Sequence, residues 1–195
     1  MRKSEFMRSL ILVKHSMPEL QADRPAAQWR LSEDGRHRCL ALARHLAAHA
    51  PVAIVASREP KAAETAMILA KHLNRPCVLA DDLHEHERTN VPLMKPAEFQ
   101  ASVAAMLAEP DELVLGLETA RQAQQRFARA VNRVLDAHPE GNIVIVAHGT
   151  VISLLLALRS GQDALAVWKR LGLPSFVELV LPGFELKRVE ASIEA

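Results

Sequence analysis

Three short apolar runs each end in residues able to meet an anion. Leu10-Ile11-Leu12-Val13 leads into Lys14-His15-Ser16, the run from Val52 to Ala56 leads into Ser57-Arg58, and Ile143-Val144-Ile145-Val146 leads into Ala147-His148-Gly149. Lys61 follows Arg58 three residues on, and an acidic, histidine-rich stretch at residues 81–88 places Glu85 between His84 and His86. Two histidines, cationic neighbours and a carboxylate are a sufficient set for phosphoryl transfer, which needs a nucleophile, donors for three equatorial oxygens and an acid for the leaving group. The His84-x-His86 pair also invites a metal reading. On an extended segment, however, these two point to one side and Glu85 to the other, so no native metal site is expected.

These residues need a frame that brings strand ends together. Continuous runs rich in branched residues read as buried strands of a parallel sheet rather than alternating surface strands. Ser32 is a candidate N-cap for a helix through residues 38–48, with Leu40, Ala43, Leu46 and Ala47 on one face, and Pro51 stops it. Pro60 suits the first turn of a helix running to about Leu73. Residues 76–79 read as a further short strand, and helices are expected at about 97–107, 118–137 and 151–158. Phe176 to Leu181 and Phe184 to Leu186, around Pro182-Gly183, read as an edge hairpin. Alternating strands and helices imply a three-layer α/β/α fold with a mostly parallel sheet and an antiparallel edge. In such a sheet the ligand site lies beyond the C-terminal ends of the strands. One domain over residues 1–195 is expected, with about 88–115 as a cap whose Arg88, Asn90 and Lys95 face substrate. Trp29 is expected near the mouth of the site and Trp168 in packing. Arg121, Arg126, Arg129 and Arg133 read as a solvated helix face.

Several motif classes are absent: no GxGxxG after a strand, no GxxxxGK[ST] loop, no HExxH helix and no GxSxG elbow. The motifs that are present resemble the histidine phosphatase superfamily, which includes the phosphoglycerate mutases. Leu12-Val13-Lys14-His15-Ser16 resembles its Arg-His-Gly signature, and the run from Ser57 to Ala66 resembles its Ser, Arg-Ala, Thr-Ala element. Leu83-His84-Glu85, Gly116-Leu117-Glu118-Thr119 and Val146-Ala147-His148-Gly149 are similar to its later elements, in the same order. The resemblance implies a phosphoglycerate mutase-like fold in which His15 becomes phosphohistidine while His148, Lys14 and Lys61 hold the phosphoryl oxygens. Glu85 would protonate the leaving oxygen and then activate water, which requires that it stay protonated on a partly shielded, leaving-group side. Three positions depart from the pattern: Lys14 and Lys61 stand for arginines, and Ser16 for glycine. A lysine keeps the charge but loses the planar fork that grips two oxygens. Arg58 is a candidate to restore that grip, and Ser16 a candidate hydroxyl donor to phosphate.

Composition sets the outer bounds. The chain has 195 residues, with 24 Lys and Arg against 23 Asp and Glu, so its formal charge is +1 and no global field recruits nucleic acid or an anionic membrane. Aromatic residues make up 4% with no Tyr, too few for base-stacking platforms. Cys39 and Cys77 are far apart with no paired-ligand spacing, which suits a reducing compartment, and no apolar run reaches the roughly 20 residues of a membrane span. The expectation is a cytoplasmic phosphatase for a small phosphate monoester, free of metal and nucleotide cofactor, with homo-oligomerisation left open. The chief alternative is a weakened member that binds a phosphorylated ligand or partner without turning it over. A mutase, a protein-phosphohistidine phosphatase and a metal-dependent hydrolase fit less well.

Overall fold

The structure is a computed structural model and describes residues 8–194. Six strands form one sheet: β1 (Arg8–Lys14), β2 (Ala53–Ser57), β3 (Cys77–Ala80), β4 (Ile143–Ala147), β5 (Ser175–Leu181) and β6 (Glu185–Glu190). Their order is β3-β2-β4-β1-β5-β6. The β1–β4, β2–β4 and β2–β3 pairs are parallel, whereas β5 runs antiparallel to β1 and β6 antiparallel to β5. The C-terminal hairpin thus supplies the antiparallel edge. Of the hairpin only β6 is an edge strand, because β5 is buried between β1 and β6, and β3 forms the opposite edge of the sheet.

The pleat explains why the strands read as unbroken apolar runs. Leu10, Leu12, Ile143 and Ile145 point into one core, while Ile11, Val13, Val144 and Val146 point into the other. The second core is covered by α1 (Glu33–Ala47) and α2 (Pro60–Leu73) through Leu42, Leu46, Ala66 and Leu69. The first is covered by α3 (Pro96–Ala108), α4 (Ala120–Ala137), α5 (Gly149–Ser160) and α6 (Ala164–Arg170). Helix α6 and the 3-10 turn Ala26–Gln28 are short elements that apolar periodicity does not reveal.

Local chemistry sets the helix ends. Ser32 caps α1 by accepting the Gly35 N–H, and Pro60 occupies the first turn of α2. Thr119 and Gln122 close a capping box on α4, so that helix begins just after the Gly116-Leu117-Glu118-Thr119 stretch. Gly35 admits no side chain, because a Cβ there would stand 2.1 Å from the Met17 carbonyl oxygen. Among the described residues no helix is long and apolar enough to cross a membrane.

Candidate active site

The parallel register of β1 and β4 pairs Lys14 with Ala147, so the next residues, His15 and His148, leave the sheet side by side. The backbone N–H of His15 donates to the Ala147 carbonyl at 3.0 Å, and the two imidazole centroids are 5.2 Å apart. Their closeness follows from the register of two buried strands and needs no separate loop.

Hydrogen bonding decides the tautomer of His15. Nδ1 lies 2.7 Å from the Ser16 carbonyl oxygen, which can only accept, so Nδ1 carries the proton and Nε2 keeps a free lone pair. Burial, then the neighbouring His148 and Lys61, push the His15 pKa well below its usual value, so the ring stays neutral near pH 7. His148 is fully buried, and its Nε2 is 2.9 Å from the Ser57 hydroxyl while its Nδ1 has no partner. The Ser57 hydroxyl can donate to Nε2, and in that tautomer Nδ1–H is left to meet a ligand oxygen. Burial and Lys61 also hold the pKa of His148 well below its usual value.

Two sequence-predicted donors are not brought in. The Ser16 hydroxyl donates to the Gly35 carbonyl at 2.7 Å and its N–H donates to Thr65 Oγ1. It therefore braces the loop after His15 against α1 and α2, and does not line the cavity. Arg58 points away from the cavity and pairs with Asp81, with 60% of its side chain exposed. It precedes Pro60, so helical i,i+3 spacing to Lys61 does not apply and the two side chains diverge.

Lys14 and Lys61 do line the cavity. Lys14 Nζ donates to the Leu171 carbonyl at 2.7 Å, and it lies over Gly149, where a Cβ would stand 3.1 Å from Lys14 Cε. The glycine after His148 thus makes room for the lysine before His15. Burial, opposed by Glu85, lowers the Lys14 pKa to about 8. The unfolded chain holds this proton to near 10.5, so the folded state gains relative stability between about pH 8 and 10.5 while losing a cation from the site. Accordingly kcat/KM for a phosphate ester should fall more steeply as pH rises through about 8. A pH-rate profile of Lys14→Arg should lack that limb, whatever its absolute rate, because a guanidinium stays charged.

Glu85 is held as a carboxylate. Its oxygens accept N–H groups from His86 (2.8 Å), Thr150 (3.1 Å) and Val151 (3.2 Å), the last two at the N-terminus of α5, and Arg88 Nη2 is 3.4 Å away. Burial works to raise its pKa, but Arg88, His148 and the backbone donors outweigh this and hold it below the usual carboxylate range. The protonated Glu85 expected from the sequence is therefore not its resting form. The loop bearing it is clamped by Arg126, whose guanidinium donates to the carbonyls of Asp82, His84 and Glu85 at 2.9–3.0 Å and pairs with Glu118. Arg126 is thus a buried clamp and not part of a solvated face, unlike Arg133 and Arg121, which make exposed pairs with Asp82 and Asp111.

The cavity above these groups has a volume of about 930 Å³, at the upper end for small-molecule sites. Leu20, Val91, Leu93, Met94, Phe99 and Trp168 supply apolar wall, and Trp29 lines it as expected. Its charges cancel: Lys14, Arg24, Lys61 and Arg88 face Asp23, Glu59, Glu85 and Glu87. Glu59, which sequence reasoning gave no role, forms a buried pair with Lys61. Among the described residues no group of three or more His, Cys, Asp or Glu is placed to hold a metal ion, and His86 directs Nε2 to the Glu118 carbonyl at 2.7 Å.

The model of the histidine phosphatase superfamily (branch 1) matches residues 10–183. The chain belongs to that superfamily. The protein named "Uncharacterized phosphatase PhoE" from Bacillus subtilis (strain 168) is 32% identical over 110 residues, 56% of this chain and 54% of the relative. The match thus spans about half the length of that curated relative. Solved structures share the fold of this superfamily member: "Mycobacterial hydrolase 2" has a TM-score of 0.79 at 20% identity, covering 97% of this chain and 93% of that one. A mycobacterial glucosyl-3-phosphoglycerate phosphatase has 0.73 at 22%, covering 97% and 100%. A phosphoserine phosphatase from Entamoeba histolytica has 0.77 at 15%, covering 95% and 98%. His15 and His148 directly follow β1 and β4, at the strand ends that the apolar runs of the sequence imply.

Proposed function

We propose that this histidine phosphatase superfamily member hydrolyses phosphate monoesters through a phosphohistidine on His15, without a metal ion or nucleotide cofactor. The observation that carries this reading is the committed tautomer of His15, whose Nε2 lone pair is free beside His148 in a cavity. The phosphatase relatives, one of them a phosphatase of a phosphoglycerate ester and another of phosphoserine, support the same substrate class.

In the first step His15 Nε2 attacks phosphorus and the ester P–O bond breaks. Lys14, Lys61 and His148 Nδ1–H stabilise the three equatorial oxygens. The alcohol needs a proton, and Glu85 rests ionised, so an ester entering as its monoanion, whose second pKa is about 6, supplies that proton by way of Glu85. In the second step the Glu85 carboxylate takes a proton from water, the water oxygen attacks phosphorus and the P–N bond breaks, restoring the free lone pair of His15. Within the expected cap of about residues 88–115, the segment 88–99 covers this chemistry, and its apolar side chains receive the leaving group. That wall suits a larger and less polar group than the small ester expected from the sequence.

A binding role without turnover has one observation in its favour: both lysine ammonium groups are engaged by protein oxygens. Turnover of an aryl phosphate in the presence of a chelator decides. The expected result is steady hydrolysis together with a phosphoenzyme, lost in acid and kept in alkali, that maps to His15. Saturable ester binding with no turnover would establish the binding role instead, and chelator-sensitive turnover would overturn the metal-free mechanism.

A further inference from the structure

We propose that Glu59 is a positioning residue for phosphoryl transfer, which holds the Lys61 ammonium so that one of its N–H groups faces the phosphoryl oxygens. This rests on the phosphatase reading above and adds a residue to it.

A carboxylate beside an anion site is costly by simple electrostatics, because it repels the incoming phosphate and cancels a cation meant to hold it. Yet Glu59 is nearly buried in that position, with 10% of its side chain exposed, and it lines the same cavity as His15. Every part of it is engaged. Its N–H donates to the Ser57 hydroxyl, and its carbonyl accepts from Ala62 and Ala63 as the N-cap of α2. Its side chain makes no capping bond to that helix. Instead Oε1 accepts the Glu85 N–H at 2.8 Å and lies 3.6 Å from His148 Nε2, and Oε2 pairs with Lys61 Nζ.

The donor count on Lys61 gives this arrangement its meaning. An ammonium on a four-carbon stem has three rotatable donors and no preferred plane, so by itself it is a poor substitute for a guanidinium fork. Here one N–H goes to the Ala26 carbonyl at 2.6 Å and a second to Glu59 Oε2. Two fixed acceptors set the rotation of the ammonium and leave a single N–H for the cavity. Glu59 in turn is immobilised by the Glu85 N–H, so the donor on one side of the phosphoryl group is set in register with the carboxylate on the other. Glu59 thereby supplies by tertiary contact the orientation that an arginine carries in its own covalent plane.

The competing account, in which Glu59 is only a counter-ion, predicts the opposite sign. Removing a mere counter-ion strengthens phosphate binding; removing a positioning group weakens transfer. The experiment measures kcat and KM for an aryl phosphate, and competitive inhibition by inorganic phosphate, for the wild type, Glu59→Gln, Lys61→Met and the double variant. Glu59→Gln is expected to lower kcat about tenfold to a hundredfold, the loss that goes with one charge-assisted hydrogen bond, without tightening phosphate inhibition. The double variant should bind phosphate no more weakly than Lys61→Met, because Glu59 acts through that lysine. Glu59→Asp, which keeps the charge on a shorter arm, should lose activity as Glu59→Gln does, and it provides the reading if Glu59→Gln fails to fold. Unchanged or faster turnover in Glu59→Gln with tighter phosphate inhibition would overturn the proposal, as would additive losses in the double variant. An inactive wild type would instead remove the phosphatase reading on which it rests.

Discussion

His15→Ala should lose at least about a thousandfold in turnover of an aryl phosphate, and no phosphoenzyme should be trapped from it. The size follows from what the side chain supplies. In the proposed mechanism Nε2 forms the bond to phosphorus, and its lone pair is available at neutral pH because Nδ1–H is committed to the Ser16 carbonyl and burial opposes ring protonation. None of the surrounding donors can take over: His148 engages Nε2 with Ser57, and Lys14 and Lys61 are cations. The substitution removes a ring that faces the cavity and leaves the core strands untouched, so the variant should still fold and still bind inorganic phosphate through Lys14, Lys61 and His148. Retention of a phosphoenzyme in His15→Ala would transfer the nucleophile's role to another residue.

Glu85→Gln should separate substrates by their leaving groups. An alkyl phosphate, whose alcohol must be protonated as it leaves, should react about a hundredfold to ten-thousandfold more slowly. An aryl phosphate with an acidic phenol should still form the phosphoenzyme readily and then accumulate it, because the amide cannot accept a proton from the attacking water. Quenched-flow measurement of the phosphoenzyme for the two esters checks this, and equal losses with no accumulation would remove Glu85 from both steps. The same variant has a stability signature. The folded pKa of Glu85 is depressed, so its charge stabilises the fold above the ordinary value of 4.5, and that contribution is lost as pH falls through the depressed one. Glu85→Gln should therefore be less stable than the wild type at neutral pH, by up to about 2 kcal/mol for a charge at a helix N-terminus. The gap should close in strong acid, as thermal melts across pH would show.

Much of this frame can be read along the chain because local rules and tertiary packing agree. Pro60 starts α2 where a proline is best tolerated, Ser32 caps α1, and the unbroken apolar runs are strands buried on both faces. The two histidines could be paired from sequence for the same reason, since parallel strands of matched length end together. Long charged side chains were less legible. Arg126 reads as one cation among several on a helix, yet it lies opposite the Glu85 loop and clamps three of its carbonyls. Arg58 and Lys61 are neighbours in sequence, but the turn into α2 sends one to Asp81 and the other to the cavity. Glu59 carried a faint signal, an acidic residue just before a helix whose first turn holds Lys61. Its role depends on which way the carboxylate turns, and sequence spacing says nothing about that.

The amino-acid sequence by itself determined the α/β frame, the strand ends that carry His15 and His148, and the order of motifs around them, because each depends on periodicity, caps and covalent order. Only the tertiary structure decided the protonation states and the charge balance of the site. Glu85 is ionised because the N-terminus of α5 and Arg88 converge on it, and the cavity is neutral because Glu59 turns inward to Lys61. Such effects fall off over a few ångströms, so they belong to neighbours in space, and chain separations such as that between Glu85 and Thr150 conceal them.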